Sequence, residues 1–391
     1  MLDRTPAVAS PDARGVRAQI VPAAQLATLL PAWEKLCSRA VEDNVYYTPP
    51  YALALLRTVA RATPVRVALA WDRDELVGLL PLVTRPGLVG RAWRSAYTFG
   101  CTPLLDRDRA LPAADLLLGA LREAGPRDWI VPRLRVDGPA MRALDAALEA
   151  RGAPRLMRRR FERAVLETGQ SFDEHMRGRV GNSRRRDLER NRRRLAERGA
   201  LRHACVQAGP DRDDAVAAFL AIEASGWKGR RGTALACRPE TAAFAREAFG
   251  SGSGDGFCRV DLLLLDERPV AASLTVFTGR TGFTVKTAFD ESLRRSSPGL
   301  LLEVDVLRSF LEERWADRLD AATDGAHVVD ALWDGSTTVG DLVFSLATFG
   351  ADARIRALAA GLDRLDRAKD RARSLVAAIR ERLPGSAGDG R

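Results

Sequence analysis

The chain has 391 residues, a hydrophobic share of 46% and a formal net charge of +10. This is enough for two domains of ordinary size, each with a sizeable core. No apolar run approaches the ~18 residues that a membrane-spanning helix needs, and five widely spaced cysteines without a CxxC pair argue against a disulfide framework.

The opening stretch, MLDRTPAVASPDARG, lacks the apolar run of a signal peptide, so residues 1–15 read as a disordered leader and the chain as cytoplasmic. Residues 18–61 read as a strand and two helices, the second behind the prolines of TPPYALALLRTVARA. VRVALAWDRDELVGLLPLVTR (65–85) predicts a hairpin turning at Asp72–Glu75. RAWRSAYTFG (91–100) is expected to be a third strand. Two helices follow, LPAADLLLGALREAG and GPAMRALDAALEARG, with the strand WIVPRLRV between them, and the block closes near FERAVLE.

The second half repeats this order. RVDLLLLDERPVAASLTVFTG (259–279) lies over 65–85, each with an apolar run, an acidic turn and a second apolar run. GFTVKTAFD matches the expected third strand, and both halves then reach a Pro-containing turn before a helix, CTPLL in one and SSPGLLL in the other. Two copies of one α/β unit are therefore expected, with boundaries at 16–165 and 166–350. GSGSGDG (250–256) reads as a flexible loop, and 351–391 as a charged amphipathic helix and tail suited to docking.

Charge is concentrated between the copies. RGRVGNSRRRDLERNRRRLAER (177–198) carries ten arginines against Asp187, Glu189 and Glu197, for a local net charge of +7. It is expected to form one helix, mostly solvated, with Val180, Leu188 and Leu195 as its few apolar positions. Its lack of interleaved aromatics argues against base stacking on a nucleic acid. His175, His203 and His327 show no metal-ligand spacing, so no metal is expected.

Two segments carry candidate chemistry. In FTVKTAFDESLRRSSPGLLLE a strand hands over to a helix through a turn of cations, serines and glycine. A helix N-terminus with unpaired N–H groups binds phosphate readily. Arg294 and Arg295 can pair with phosphate oxygens, Ser296 and Ser297 can cap or donate, and Gly299 permits close backbone approach; a well-capped surface turn explains the pattern equally well. In EASGWKGRRGTAL (223–235), Glu223 is a candidate base, Trp227 a wall or stacking platform, and Lys228, Arg230 and Arg231 anion binders. Lys286 is expected to contact substrate or pair with Asp290, or else to snorkel as an edge lysine.

These segments, together with NSRRRDLERNRRRLAERG (182–199), resemble the GNAT acyltransferase superfamily, in particular its CelD-like branch associated with cellulose or exopolysaccharide production. The resemblance spans roughly 160–345, with a looser likeness before it. It implies two tandem GNAT-like domains, each a mixed central sheet flanked by helices, the second holding acetyl-CoA or another acyl-CoA. On that reading the turn from Arg294 to Gly299 and Leu300 holds the pyrophosphate, backbone N–H groups near Thr287 and Ala288 stabilise the oxyanion, Glu223 or Asp290 accepts a proton, and Trp227, Lys228, Arg230 and Lys286 face the acceptor. The acceptor would be a sugar, amino sugar or polysaccharide precursor. The chain departs from the branch at GDLVFS, where Phe344 and Ser345 replace a Tyr-Lys pair, and all four tyrosines (Tyr46, Tyr47, Tyr51, Tyr97) lie in the first half. Two alternatives remain open: an aminoacyl-tRNA-dependent transferase of the Fem type, which shares the tandem architecture, and a catalytically silent scaffold of exopolysaccharide machinery.

Overall fold

The computed structural model describes residues 15–84, 89–325 and 328–382. All of the expected leader (1–15) but Gly15, together with His327 and the tail from 383, lies outside the described residues.

The first half contains β1 (Val16–Pro22), a 3-10 turn over Ala23–Leu29, α1 (Leu30–Ser38), α2 (Pro49–Arg57), β2 (Arg66–Asp72), β3 (Glu75–Val83), β4 (Gly90–Ala92), β5 (Leu104–Leu105), α3 (Ala110–Glu123), β6 (Asp128–Arg135), α4 (Pro139–Ala150) and β7 (Arg155–Glu167). The second contains α5 (Phe172–Arg179), α6 (Asn182–Ala196), β8 (Leu201–Val206), α7 (Asp211–Ser225), α8 (Trp227–Arg230), α9 (Pro239–Phe249), β9 (Cys258–Leu265), β10 (Arg268–Thr278), β11 (Thr281–Phe289), α10 (Pro298–Glu313), β12 (Arg318–Asp320), β13 (Gly335–Ser345) and the long α11 (Ala351–Arg382). Prolines stand in the first turn of α1, α2, α4, α9 and α10, where their missing N–H costs nothing. The turn of the β9–β10 hairpin places Asp266 and Glu267 at positive φ (48° and 62°), the backbone that lets a tight turn follow the strand twist.

Thirteen strands form one mixed sheet, ordered β1-β2-β3-β4-β6-β13-β7-β12-β11-β10-β9-β8, with β5 beside β3 off this path. From either edge the order is the same: antiparallel strands first, then a parallel pair, β4 with β6 in one half and β11 with β12 in the other. This is the expected tandem α/β arrangement. The last strand of each half is exchanged: β7 pairs with β12 and β13, while β13 pairs with β6. The boundary expected between 165 and 166 therefore falls inside β7, among the strands of the second half.

One apolar cluster runs through both halves on the side of α2, α7 and α9, and a second joins α5, α6 and α10 to the sheet. The α11 helix docks as expected: Ile355 packs on Ile130 and Val343, and Arg158 reaches Asp363 at 2.8 Å and Asp366 at 2.5 Å.

Three local expectations are corrected. Only Gly90–Ala92 of the expected third strand is a strand; Trp93 to Pro103 form a loop whose carbonyls are bound by Tyr47, Tyr51, Arg133 and Arg163. The arginine segment is two helices rather than one, because Val180 and Gly181 leave helical geometry (ψ 113° and 151°). The 250–256 loop is not loose: the buried Arg212 guanidinium donates to the carbonyls of Gly250, Ser251 and Gly254.

Candidate functional site

The middle strand β11 organises the site. It pairs with β10 along its length but with β12 only from Thr281 to Phe283. Beyond Phe283 the two parallel strands part, and that edge of β11 has no strand partner among the described residues. Its register against β10 steps from Thr284 directly to Lys286, leaving Val285 in a bulge. Bulges re-aim side chains and locally disrupt the ladder.

At the far end of β11 the chain turns through a 3-10 segment, Glu291–Ser296, into α10. Ser297 takes the left-handed conformation (φ 49°) and its side chain makes no capping bond, so the first N–H groups of α10, at Gly299 and Leu300, receive no cap from it. Arg294 and Arg295 are exposed and make no ion pair among the described residues, whereas Ser296 is buried. Gly299 has a further reason to be glycine: a Cβ there would lie 3.0 Å from the Phe289 ring, so the missing side chain lets α10 close onto β11.

The second candidate segment folds over the same strand. Ile222, Glu223, Gly226, Trp227 and Lys228 face Thr287–Phe289 across a small cavity of about 80 Å³. Glu223 is 3% exposed and saturated. One carboxylate oxygen accepts from Lys286 at 2.5 Å and faces Lys228 at 3.6 Å, and the other accepts from the Leu235 N–H at 2.7 Å. Lys286 thus pairs with Glu223 and not with Asp290, which lies four residues further along, just past the end of the strand, and accepts from Ser292 and Arg268 instead. Burial would raise the Asp290 carboxyl, but the Ser292 and Arg268 interactions outweigh it and hold it below its usual range, which makes it a weak base.

The loop cations are committed rather than free. Burial and the neighbouring Lys286 ammonium pull the Lys228 amine down. Arg230 pairs with Glu291 at 2.6 Å, and Glu291 also accepts from the Trp227 N–H at 2.5 Å, so this one carboxylate ties the 223–235 loop to the turn before α10. Arg231 lies over the Trp227 ring at 5.0 Å, and Trp227 itself is 46% exposed at the rim. Gly229 is required, since a Cβ there would meet the Ala224 carbonyl at 1.7 Å.

Two further groups were invisible as neighbours in the sequence. Glu303, in the second turn of α10, is buried beneath β11 and accepts from Thr287 at 2.5 Å and Ser273 at 3.0 Å. Burial pushes its carboxyl up to about 7. Its spacing from Gly299 on one helix was the only available signal. Tyr97 reaches across from the first half: burial and the Glu223 charge raise its phenol. By contrast Phe344 and Ser345 are buried in β13, with Ser345 donating to Asp128, so the positions that depart from the branch pattern belong to the core.

Residues 182–328 match the family model described as Acetyltransferase (GNAT) domain. The match begins at α6, takes in the opening beside β11 and the start of α10, and stops before β13. The fold as a whole is similar to that of FemX (12% identity, 80% of this chain and 95% of that one, TM-score 0.54). It is also similar to the C-terminal DUF2156 domain of an Agrobacterium fabrum protein assigned as a lysylphosphatidylglycerol synthetase (13%, 86% and 96%, 0.52). A conserved protein of unknown function from Bacteroides thetaiotaomicron compares likewise (11%, 81% and 97%, 0.53). At these identities the likeness is one of fold. No curated protein sequence matches the chain. Within the GNAT-like half, no cluster of metal-ligating side chains occurs among the described residues, and no described helix is long and apolar enough to cross a membrane.

Proposed function

We propose that the protein is an acyltransferase that uses acetyl-CoA or another acyl-CoA and acts on an amine or hydroxyl of a saccharide-related acceptor. The observation that carries this reading is the opening between β11 and β12, with an uncapped helix N-terminus and two unpaired arginines at its end. Such a terminus suits a pyrophosphate, and a thioester arm lying along the open edge of β11 would meet backbone N–H groups between Val285 and Ala288 suited to an oxyanion. Thr287 is held from below by Glu303, which keeps the strand rigid where the donors lie.

Glu223 is the proposed proton acceptor, by exchange: its 3.6 Å contact with Lys228 is the longest of its three, and an acceptor ammonium can take that place. Lys286 stays on the same oxygen and fixes its direction. Trp227, at the rim, walls the acceptor side. Calorimetry with acetyl-CoA tests the donor: saturable binding that is lost in Arg294→Ala/Arg295→Ala supports the reading, and its absence in the parent protein removes it.

A second reading has one observation in its favour. The arginine-rich α6 packs against the turn that carries Arg294 and Arg295, so exposed cations on both form a continuous basic face. Such a face suits a polyanion as donor, as an aminoacyl-tRNA-dependent transferase would need; two of the fold neighbours carry the names FemX and lysylphosphatidylglycerol synthetase. Tight tRNA binding that collapses between low and moderate salt would favour it over acyl-CoA.

A further inference from the structure

Another opening lies away from the β11 site. A polar cleft of about 470 Å³ lies between the halves, where the loop after α1 faces the starts of β11 and β12. A row of aromatic rings, Tyr46, Tyr51, Phe244 and Tyr97 at 5.2–5.4 Å centroid spacings, leads from this cleft to the Glu223 pocket. None of the residues that mark the proposed donor site lines it.

Its walls carry polar groups without adequate partners. The Tyr46 hydroxyl is buried and makes no hydrogen bond among the described residues, and the residue is only 1% exposed. Buried unpaired hydroxyls are costly and few in folded proteins. The Arg135 Nε is likewise buried without an acceptor, and its nearest carboxylate, the exposed Asp137, stands 3.7 Å away. Among the described residues, Arg318 is paired only with the largely exposed Glu167, at 2.9 Å. These guanidinium groups are not committed as Arg133 and Arg163 are, which hold Asp324, Asp320 and loop carbonyls.

Acids line the same cleft. Glu42 lies at the start of α4, 3.4 Å from the Ala140 N–H and 3.5 Å from the Thr102 hydroxyl, both long for hydrogen bonds. Gly138 makes room for it, since a Cβ there would fall 2.2 Å from its carboxylate oxygen. Asp43 accepts from the Thr281 hydroxyl of the second half at 2.7 Å. Burial raises both carboxyls, more than Arg135 lowers Glu42 or Thr281 lowers Asp43. Each acid thus has lone pairs to spare for donors that the protein does not supply.

We infer that this cleft is a binding site for a small molecule that carries an anionic group at one end and hydroxyl or ammonium donors at the other, of the kind found in sugar phosphates and amino-sugar phosphates. The anion meets Arg135 and Arg318, the donors meet Glu42 and Asp43, and the Tyr46 hydroxyl gains its missing partner. Because Glu42, Asp43 and Arg135 belong to the first half and Thr281 and Arg318 to the second, the ligand bridges the halves. Binding requires no acyl donor, so the inference stands or falls apart from the acyl-transfer reading.

The test is calorimetry on the full chain without acyl-CoA, using glucosamine 6-phosphate, glucose 6-phosphate and inorganic phosphate as probes. The expected order is glucosamine 6-phosphate tightest and phosphate weakest. Arg135→Gln should weaken both sugars about tenfold or more, as loss of a charge-assisted hydrogen bond does. Tyr46→Phe, which keeps the ring packing, should weaken them severalfold, and Glu42→Gln should narrow the gap between amine and hydroxyl sugar. Saturable binding should also raise the thermal midpoint of the parent protein. No saturable binding of any probe, equal affinity for all three, or parental affinity in Arg135→Gln would each overturn the inference.

Discussion

The two halves use the same strand order but finish the space beside their parallel pair differently. In the second, β11 and β12 part beyond Phe283, and a short turn leads directly into α10 with its N-terminus facing the opening. In the first, β4 is cut to three residues, and the long loop from Trp93 returns through the corresponding region before α3 begins at Ala110. That loop is fastened by side chains reaching its carbonyls: Tyr47 on Trp93, Tyr51 on Tyr97, Arg133 on Thr98 and Arg163 on Phe99. One half has filled with its own chain the space that the other leaves open. The lesson is that a repeated sheet order does not repeat a site; the connection after the third strand decides it.

Three variants in the open half sharpen the contrast at the donor opening, and one tests its packing. Replacing Arg294 and Arg295 together by alanine should lower acyl-CoA affinity by about 10³-fold, at about 2 kcal/mol for each charge-assisted contact. The fold should persist, since both side chains are exposed; unchanged affinity by calorimetry would move the phosphate elsewhere.

Glu303 sets a pH dependence of its own. Its folded carboxyl stands at about 7 against an ordinary 4.5, so the folded state holds the proton more tightly. Stability is greatest below about pH 4.5 for this group and falls as pH rises to about 7, by at most about 3 kcal/mol. Urea unfolding across that range should show the decline in the parent protein and a shallower one in Glu303→Gln, since Glu42 and Asp43 are raised as well, and the variant should be the more stable at pH 8. An equal slope in both would remove Glu303 as its source.

Glu223→Gln should reduce the acyl-transfer rate by about 10²-fold while donor affinity is retained. A rate within severalfold of the parent would leave Glu223 as the anchor of Lys286 and the Leu235 N–H alone. The smallest effect expected is at Gly299: alanine there presses on Phe289 and should cost about 1–2 kcal/mol, as overpacking does. Thermal unfolding reads this, and Phe289→Leu in the same chain should return part of it.

The sequence was most informative where one segment carried the whole signal. Pro298, Gly299 and the preceding arginines sit within a few residues, so the turn was legible, as were the hairpins with their acidic turns. What escaped was built from distant pieces. The Glu42–Asp43 pair, Arg135 and Arg318 come from three segments, and nothing local marks those segments as neighbours. The exchange of β7 and β13 is a choice between equivalent pairing partners, which hydrophobic alternation does not distinguish. Glu223 read as an acid beside a cationic loop, but its saturation depends on Lys286, far along the chain, and on the bulge at Val285 that lets that lysine reach it. RAWRSAYTFG alternates well enough for a strand, yet tertiary hydrogen bonds from tyrosines and arginines hold it as a loop.

The asymmetry between the halves is tested most directly by the stoichiometry of acetyl-CoA binding, measured calorimetrically on the full chain. The account predicts one site per chain, abolished by Arg294→Ala/Arg295→Ala. Two sites per chain, or one site that survives this double substitution, would contradict it.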